Sequence, residues 1–259
     1  RSVDNANNYS DYSSYYSVIV DTIVPTIDDQ QSGDDIWISS NSRTYSVYFN
    51  DNGGSKLSKF QIKATTGPSQ TGTVLFNWTD VIAGINSNSY NNNWGLGDGE
   101  WGLLISGTNY ISVSVYDNAG NYATQEVFYI RKDTIAANAI SNLTGSTGNE
   151  GEINITFGAP SDNDGTSVIS YIVKYATFSI DSNNFDSANT YDNNWIPLSP
   201  GQSEYRTITG LLPETFYYVA IKSVDKAQNV SQISNVIYNQ SGADTTPPGQ
   251  ITDLSATPG

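Results

Sequence analysis

Carboxylates and amides gathered in short turns are the side chains of this sequence best suited to chemistry. Asp117-Asn118-Ala119-Gly120-Asn121 brings a carboxylate and two amides together, and Asp162-Asn163-Asp164-Gly165 brings two carboxylates together. Calcium takes six to eight oxygens from carboxylates, amides and carbonyls, so Asp117, Asn118, Asn121, Asp162 and Asp164 are the candidate ligands and calcium the candidate cofactor. Against this, a later copy of the first turn, Asp225-Lys226-Ala227-Gln228-Asn229, puts an ammonium inside the same loop. The Asp162 run also lacks the later Glu of an EF-hand. A plain hairpin, in which Asn, Asp and Gly accept positive φ, explains the same residues without an ion. Asp21, Asp133 and Asp244 recur one per repeat, and a cation there would stiffen a chain of domains.

A second group is aromatic. Trp78, Trp94 and Trp101 flank the Asn-rich stretch 86–93, which carries Tyr90. Exposed rings beside amides suit sugars, because the ring stacks on C–H groups while amides bond hydroxyls. Trp94, Trp101 and Tyr90 are therefore candidate carbohydrate contacts, with polysaccharide as the partner. Burial of the same rings in a sandwich core is the competing expectation. Gly97-Asp98-Gly99-Glu100-Trp101-Gly102 formally matches the dinucleotide fingerprint, which works only between a strand and a helix N-terminus. It is followed by strand-like Leu103 to Ile105, and Asp98 and Glu100 would oppose a phosphate, so a loop is expected.

Composition narrows the function further. The chain has no His and no Cys, which removes the commonest general base, the commonest transition-metal ligand and any disulfide. Its acids cluster in turns such as Asp28-Asp29 and Asp34-Asp35, where they are solvated, so no enzyme is expected. With 26 acidic against 11 basic residues, the net charge of -15 would repel a phosphate backbone, and nucleic acid is not an expected partner. No apolar run approaches the roughly 18 to 20 residues of a membrane-spanning helix. The 259 residues contain no Met, which leads us to expect a piece of a longer chain.

The elements that must hold these residues repeat. Ser2-Val3-Asp4-Asn5-Ala6-Asn7-Asn8, Ser114-Val115-Tyr116-Asp117-Asn118-Ala119-Gly120-Asn121 and Ser223-Val224-Asp225-Lys226-Ala227-Gln228-Asn229 are near copies. Each leads into an Asp-Thr pair, at Asp21-Thr22, Asp133-Thr134 and Asp244-Thr245, and these marks lie 112 and 111 residues apart. Such a period suits whole domains. Within it, alternation of apolar and polar residues predominates, predicting strands at Tyr45 to Asn50, Lys59 to Ala64, Tyr110 to Tyr116 and Gln125 to Ile130. Ile153, Ile155 and Phe157 alternate inward, then Tyr171, Val173 and Tyr175, then Tyr217, Val219 and Ile221. The expected class is all-β, a tandem of immunoglobulin-like sandwiches. The expected divisions are 1–20, closing a preceding domain; 21–132 and 133–243, two full units; and 244–259, opening another.

Gly210-Leu211-Leu212-Pro213-Glu214-Thr215-Phe216-Tyr217 resembles the Gly-Leu-x-Pro-x-Thr-x-Tyr run of fibronectin type III domains. The resemblance implies that Leu211 fills the core and Tyr217 makes a corner hydrogen bond. Phe157 stands where the family usually has Trp, and Ile180 to Ala188 resembles an insertion of bacterial versions. Asp244-Thr245-Thr246-Pro247-Pro248, with Ile251, Asp253 and Leu254, is similar to the start of another such domain. The first unit, which has Ser106 to Tyr110 in place of the Leu-x-Pro run, resembles the immunoglobulin-like repeats of large bacterial surface proteins. Together these resemblances imply a non-catalytic spacer in a secreted or cell-surface protein, with neighbouring copies or other surface proteins as partners. The alternatives are accessory domains of a polysaccharide-degrading enzyme and a sugar-binding adhesin.

Overall fold

The computed structural model describes residues 1–14, 20–32, 34–253 and 255. Parts of two expected segments, 15–19 within 1–20, and Leu254 with 256–259 within 244–259, lie outside the described residues. The chain divides into two compact units, Arg1–Lys132 and Asp133–Gly259.

In the first unit the strands are β1 (Thr26–Asp29), β2 (Trp37–Ile38), β3 (Val47–Asn50), β4 (Leu57–Thr65), β5 (Val74–Ser87) and β6 (Ser89–Tyr90). A six-residue helix, α1 (Asp98–Leu103), precedes β7 (Gly107–Asp117) and β8 (Tyr122–Lys132). They form a three-stranded sheet in the order β1-β3-β6 and a five-stranded sheet in the order β2-β8-β7-β4-β5. Pairing is antiparallel except for the short β2 against β8. Phe60, Ile62 and Ala64 of β4 and Ile111, Val113 and Val115 of β7 are buried with Tyr45, Val47 and Phe49 to make one core. In β3 the strict period-2 alternation turns Val47 and Phe49 inward and leaves Tyr48 and Asn50 half-buried.

The second unit holds β9 (Thr144–Thr147), β10 (Ile153–Gly158), β11 (Ser170–Ala176), β12 (Asn189–Tyr191), β13 (Ser203–Ile208), β14 (Phe216–Val224) and β15 (Ile237–Gln240). A three-stranded sheet, β13-β10-β9, faces a four-stranded sheet, β12-β11-β14-β15. Ile153, Ile155 and Phe157 are buried while Asn154 between them is exposed. Phe157 meets Tyr171 edge-on, with ring centroids 5.1 Å apart, so the smaller ring closes the core. Leu211 is buried, and the Leu212 amide donates to the Tyr217 hydroxyl at 3.2 Å, which is the corner bond the resemblance implied. In the segment 180–188, Ile180, Phe185 and Ala188 pack with Ala176 and Ala220 in a second small cluster.

Two expectations are corrected here. Leu103 to Ile105 form no strand, because Leu103 ends α1 and Leu104 follows as its extended C-cap. The glycine-containing run that opens at Gly97 is helical from Asp98 onward rather than a loop. Its helix is fixed by distant partners: Asn41 Nδ2 donates to Asp98 Oδ1 at 2.9 Å, and Lys132 Nζ donates to the carbonyls of Trp101 and Leu104 at 2.8 and 2.9 Å. The Leu104 carbonyl is satisfied in this way, and the Trp101 carbonyl, which already accepts from the Leu104 N–H at 3.2 Å, gains a second donor. Described residues 244–253 form no strand.

Candidate cation sites

The recurring turn is an Asp-Asn clamp, built alike three times. In each copy the Asp accepts from the backbone N–H of the Asn four positions on: Asn8 to Asp4 at 3.0 Å, Asn121 to Asp117 at 2.8 Å and Asn229 to Asp225 at 2.9 Å. The other carboxylate oxygen accepts from the same Asn's Nδ2, at 3.0, 2.7 and 2.9 Å. The position just before the Asn has positive φ each time: Asn7 at 65°, Gly120 at 92° and Gln228 at 67°. This explains the preference for Gly and amides there, since the left-handed region suits few L-residues.

The clamp also reaches the Asp-Thr mark. Asn121 Nδ2 donates to the Asp21 carbonyl at 3.1 Å, and Asn229 Nδ2 donates to the Asp133 carbonyl at 3.0 Å. The two repeated motifs are therefore one device within each unit.

Around it the carboxylates converge. Asp21, Asp51 and Asp117 in the first unit, and Asp133, Asp162 and Asp225 in the second, each offer oxygens that lie within 4.8 Å of one another. The first triad is wrapped by donors. Asp21 accepts from the amides of Ile23 and Ser55, Asp51 from those of Gly53 and Lys56, and Asp117 from Asn121. Hydrogen bonds from Ser55 and Ile23 hold the Asp21 carboxyl below its usual range.

The second triad is more deeply buried, at 1% exposure for Asp133, 2% for Asp162 and 0% for Asp225. Asp162 Oδ1 accepts from the Asn163 amide at 2.7 Å, but its Oδ2 is buried and accepts no hydrogen bond. Burial pushes the Asp162 carboxyl up, the Asn163 amide opposes this, and the charges of Asp133, Asp225 and Asp164 add to the rise.

Of the candidates read from the sequence, Asp117 and Asp162 enter these clusters. Asn118 and Asn121 brace the loops instead, Asn118 Nδ2 donating to the Ser55 carbonyl at 2.9 Å. Asp164 ion-pairs with Lys226, which pulls its carboxyl down to about 2. Sequence reasoning misses Asp51 and Asp225 as ligands. Their signal lies in the repeat itself, since Asp51-Asn52 and Asp162-Asn163 hold corresponding places in the two units.

Of the aromatic candidates, Trp94 is closed off from any ligand. Trp94 is only 4% exposed, packs on Tyr45, Phe60 and Phe128, and donates its Nε1 to the Val47 carbonyl at 3.0 Å. Tyr90 packs against Phe49 and Phe60. Trp101 is half-buried on α1, with the Lys132 ammonium 4.8 Å from its ring centre. Trp94 is thus a core residue, because its large apolar ring lies between the two sheets of the first unit.

The fold is a tandem of two all-β, immunoglobulin-like sandwich units with a carboxylate triad in each. No protein-family model matches the sequence, and no curated protein matches it. Among solved structures the chain is similar to the FN1–FN3 domains of chicken CNTN1, at 12% identity and a TM-score of 0.45. That match covers 80% of this chain, which spans 62% of the length of the other.

Proposed function

We propose that this stretch is a non-catalytic structural segment, one that sets spacing within a long secreted or cell-surface multidomain protein. The observation that carries the reading is that each unit closes a core of its own, one centred on Phe60 and Ile111 and the other on Ile155 and Val219. Modules cored in this way contribute length without depending on a shared centre. Among the residues that sequence offered for chemistry, Trp94 fills a core and Asn121 braces its turn, which is in keeping with this reading.

The test is mechanical. Stretching the whole chain from its two ends in a force experiment is expected to give two separate unfolding events. Each should release the length of about 110 to 130 residues, at roughly 3.3 to 3.6 Å per residue. A single event releasing the full chain at once would overturn the reading.

A further inference from the structure

We propose that Asp133, Asp162 and Asp225 form a divalent-cation site in the second unit, of the hard, oxygen-ligated kind that calcium fills. This site is distinct from the spacing role and does not depend on it. The three acids come from separate places in the chain: the first residue of the unit, the loop between β10 and β11, and the turn after β14. Folding alone brings their oxygens within 4.8 Å of one another. Two oxygens on opposite sides of a calcium ion, bonded at 2.3 to 2.6 Å, lie about 4.6 to 5.2 Å apart, so one ion can reach all three carboxylates.

The orphaned oxygen points to the ligand. In the first unit Asp51 Oδ2 accepts from the Lys56 amide at 2.6 Å, so both of its oxygens are satisfied by the loop that follows. In the second unit the corresponding loop supplies Asp162 with the Asn163 amide alone, and Oδ2 is left buried with no donor. A buried carboxylate oxygen without a hydrogen bond is costly, and two further buried carboxylates beside it raise that cost. Lys226 offsets this only in part: its Nζ is bound to Asp164 and ion-pairs with Asp162 Oδ2 at 3.8 Å, beyond hydrogen-bond distance. A divalent ion would complete the coordination of the orphaned oxygen and offset the charge of the triad.

The experiment titrates calcium chloride into the full chain, freed of metal, by calorimetry at neutral pH, with melting followed in parallel. We expect saturable binding with Kd of about 10⁻⁴ to 10⁻³ M and a higher melting temperature when calcium is present. Asp162→Asn replaces the orphaned oxygen by an amide that can present N–H to the ion, and should weaken binding at least tenfold. In chelator the same variant should melt no lower than the wild type, because it removes a repelled charge. Lys226→Met, which takes away the positive charge that competes for Asp162 Oδ2, should tighten binding severalfold. Asp51→Asn, in the other unit, should leave this binding in place. Absence of calcium heat and of any melting shift in the wild type would overturn the site. So would binding that Asp162→Asn leaves intact and Asp51→Asn abolishes.

Discussion

Gly120 and Gln228 occupy the same place in the two complete clamps, both at positive φ. No atom lies within 4 Å of where a Cβ on Gly120 would sit, so a side chain there would meet only the backbone preference. Gly120→Ala is expected to lower the stability of the first unit by about 1 to 2 kcal/mol, and Gln228→Gly to leave the second unit level or slightly more stable. Chemical denaturation of the paired variants measures both. Tyr45 provides a pH test in the same unit. Burial pushes its hydroxyl from 10 up to about 12. Because the folded value exceeds the unfolded one, the stability it contributes is complete below pH 10 and is lost as pH rises toward 12. The loss should approach about 1.4 kcal/mol per pH unit across that window. Tyr45→Phe keeps the ring that stacks on Phe128, at 4.2 Å between centroids, and should flatten this alkaline slope in denaturation measured from pH 9 to 12.

At the scale of elements, regularity decides what the sequence discloses. β4 and β7 share a long register with one shift, and the alternation of Phe60, Ile62, Ala64, Ile111, Val113 and Val115 is enough to mark them as inward-facing. β5 pairs with the other edge of β4 through four shifts and has Gly84 and Asn86 at positive φ. Each bulge moves side chains to the other face, so a strand of 14 residues shows no clean alternation and is not legible in the pattern. The helix α1 is hidden for another reason. Six residues with two glycines hold no helical period, and its end is tied down by Lys132, which donates to the Trp101 and Leu104 carbonyls from 31 positions beyond Trp101. Burial pulls the Lys132 ammonium's pKa down, yet its two carbonyl bonds and the Trp101 ring keep it in place. Lys132→Met retains the apolar stem and removes both bonds, so it should cost the first unit about 1 to 3 kcal/mol. Amide hydrogen exchange should then accelerate at the Trp101 and Leu104 N–H groups, which close α1.

Across the molecule, the repeated words of the sequence are legible while the sites they build are not. Asp117 and Asn121 are four residues apart and speak for themselves, whereas Asp21, Asp51 and Asp117 meet only after β3, β4 and β7 are in place. The same holds for the second triad, where the difference that matters is whether a backbone N–H faces Asp162 Oδ2, and this depends on the path of a loop. Trp94 misleads for a related reason. An indole suited to stacking on a sugar is equally suited to filling a sandwich, and the nearby strands β3 and β4 settle Trp94 in the interior.

The tie from Asn121 to the Asp21 carbonyl, and from Asn229 to that of Asp133, fastens the opening residue of a module to a turn near its own end. Any copying of one whole period would carry both halves of this fastening together. Such a protein can lengthen by duplication, one module at a time, and each newcomer arrives already able to secure its own seam.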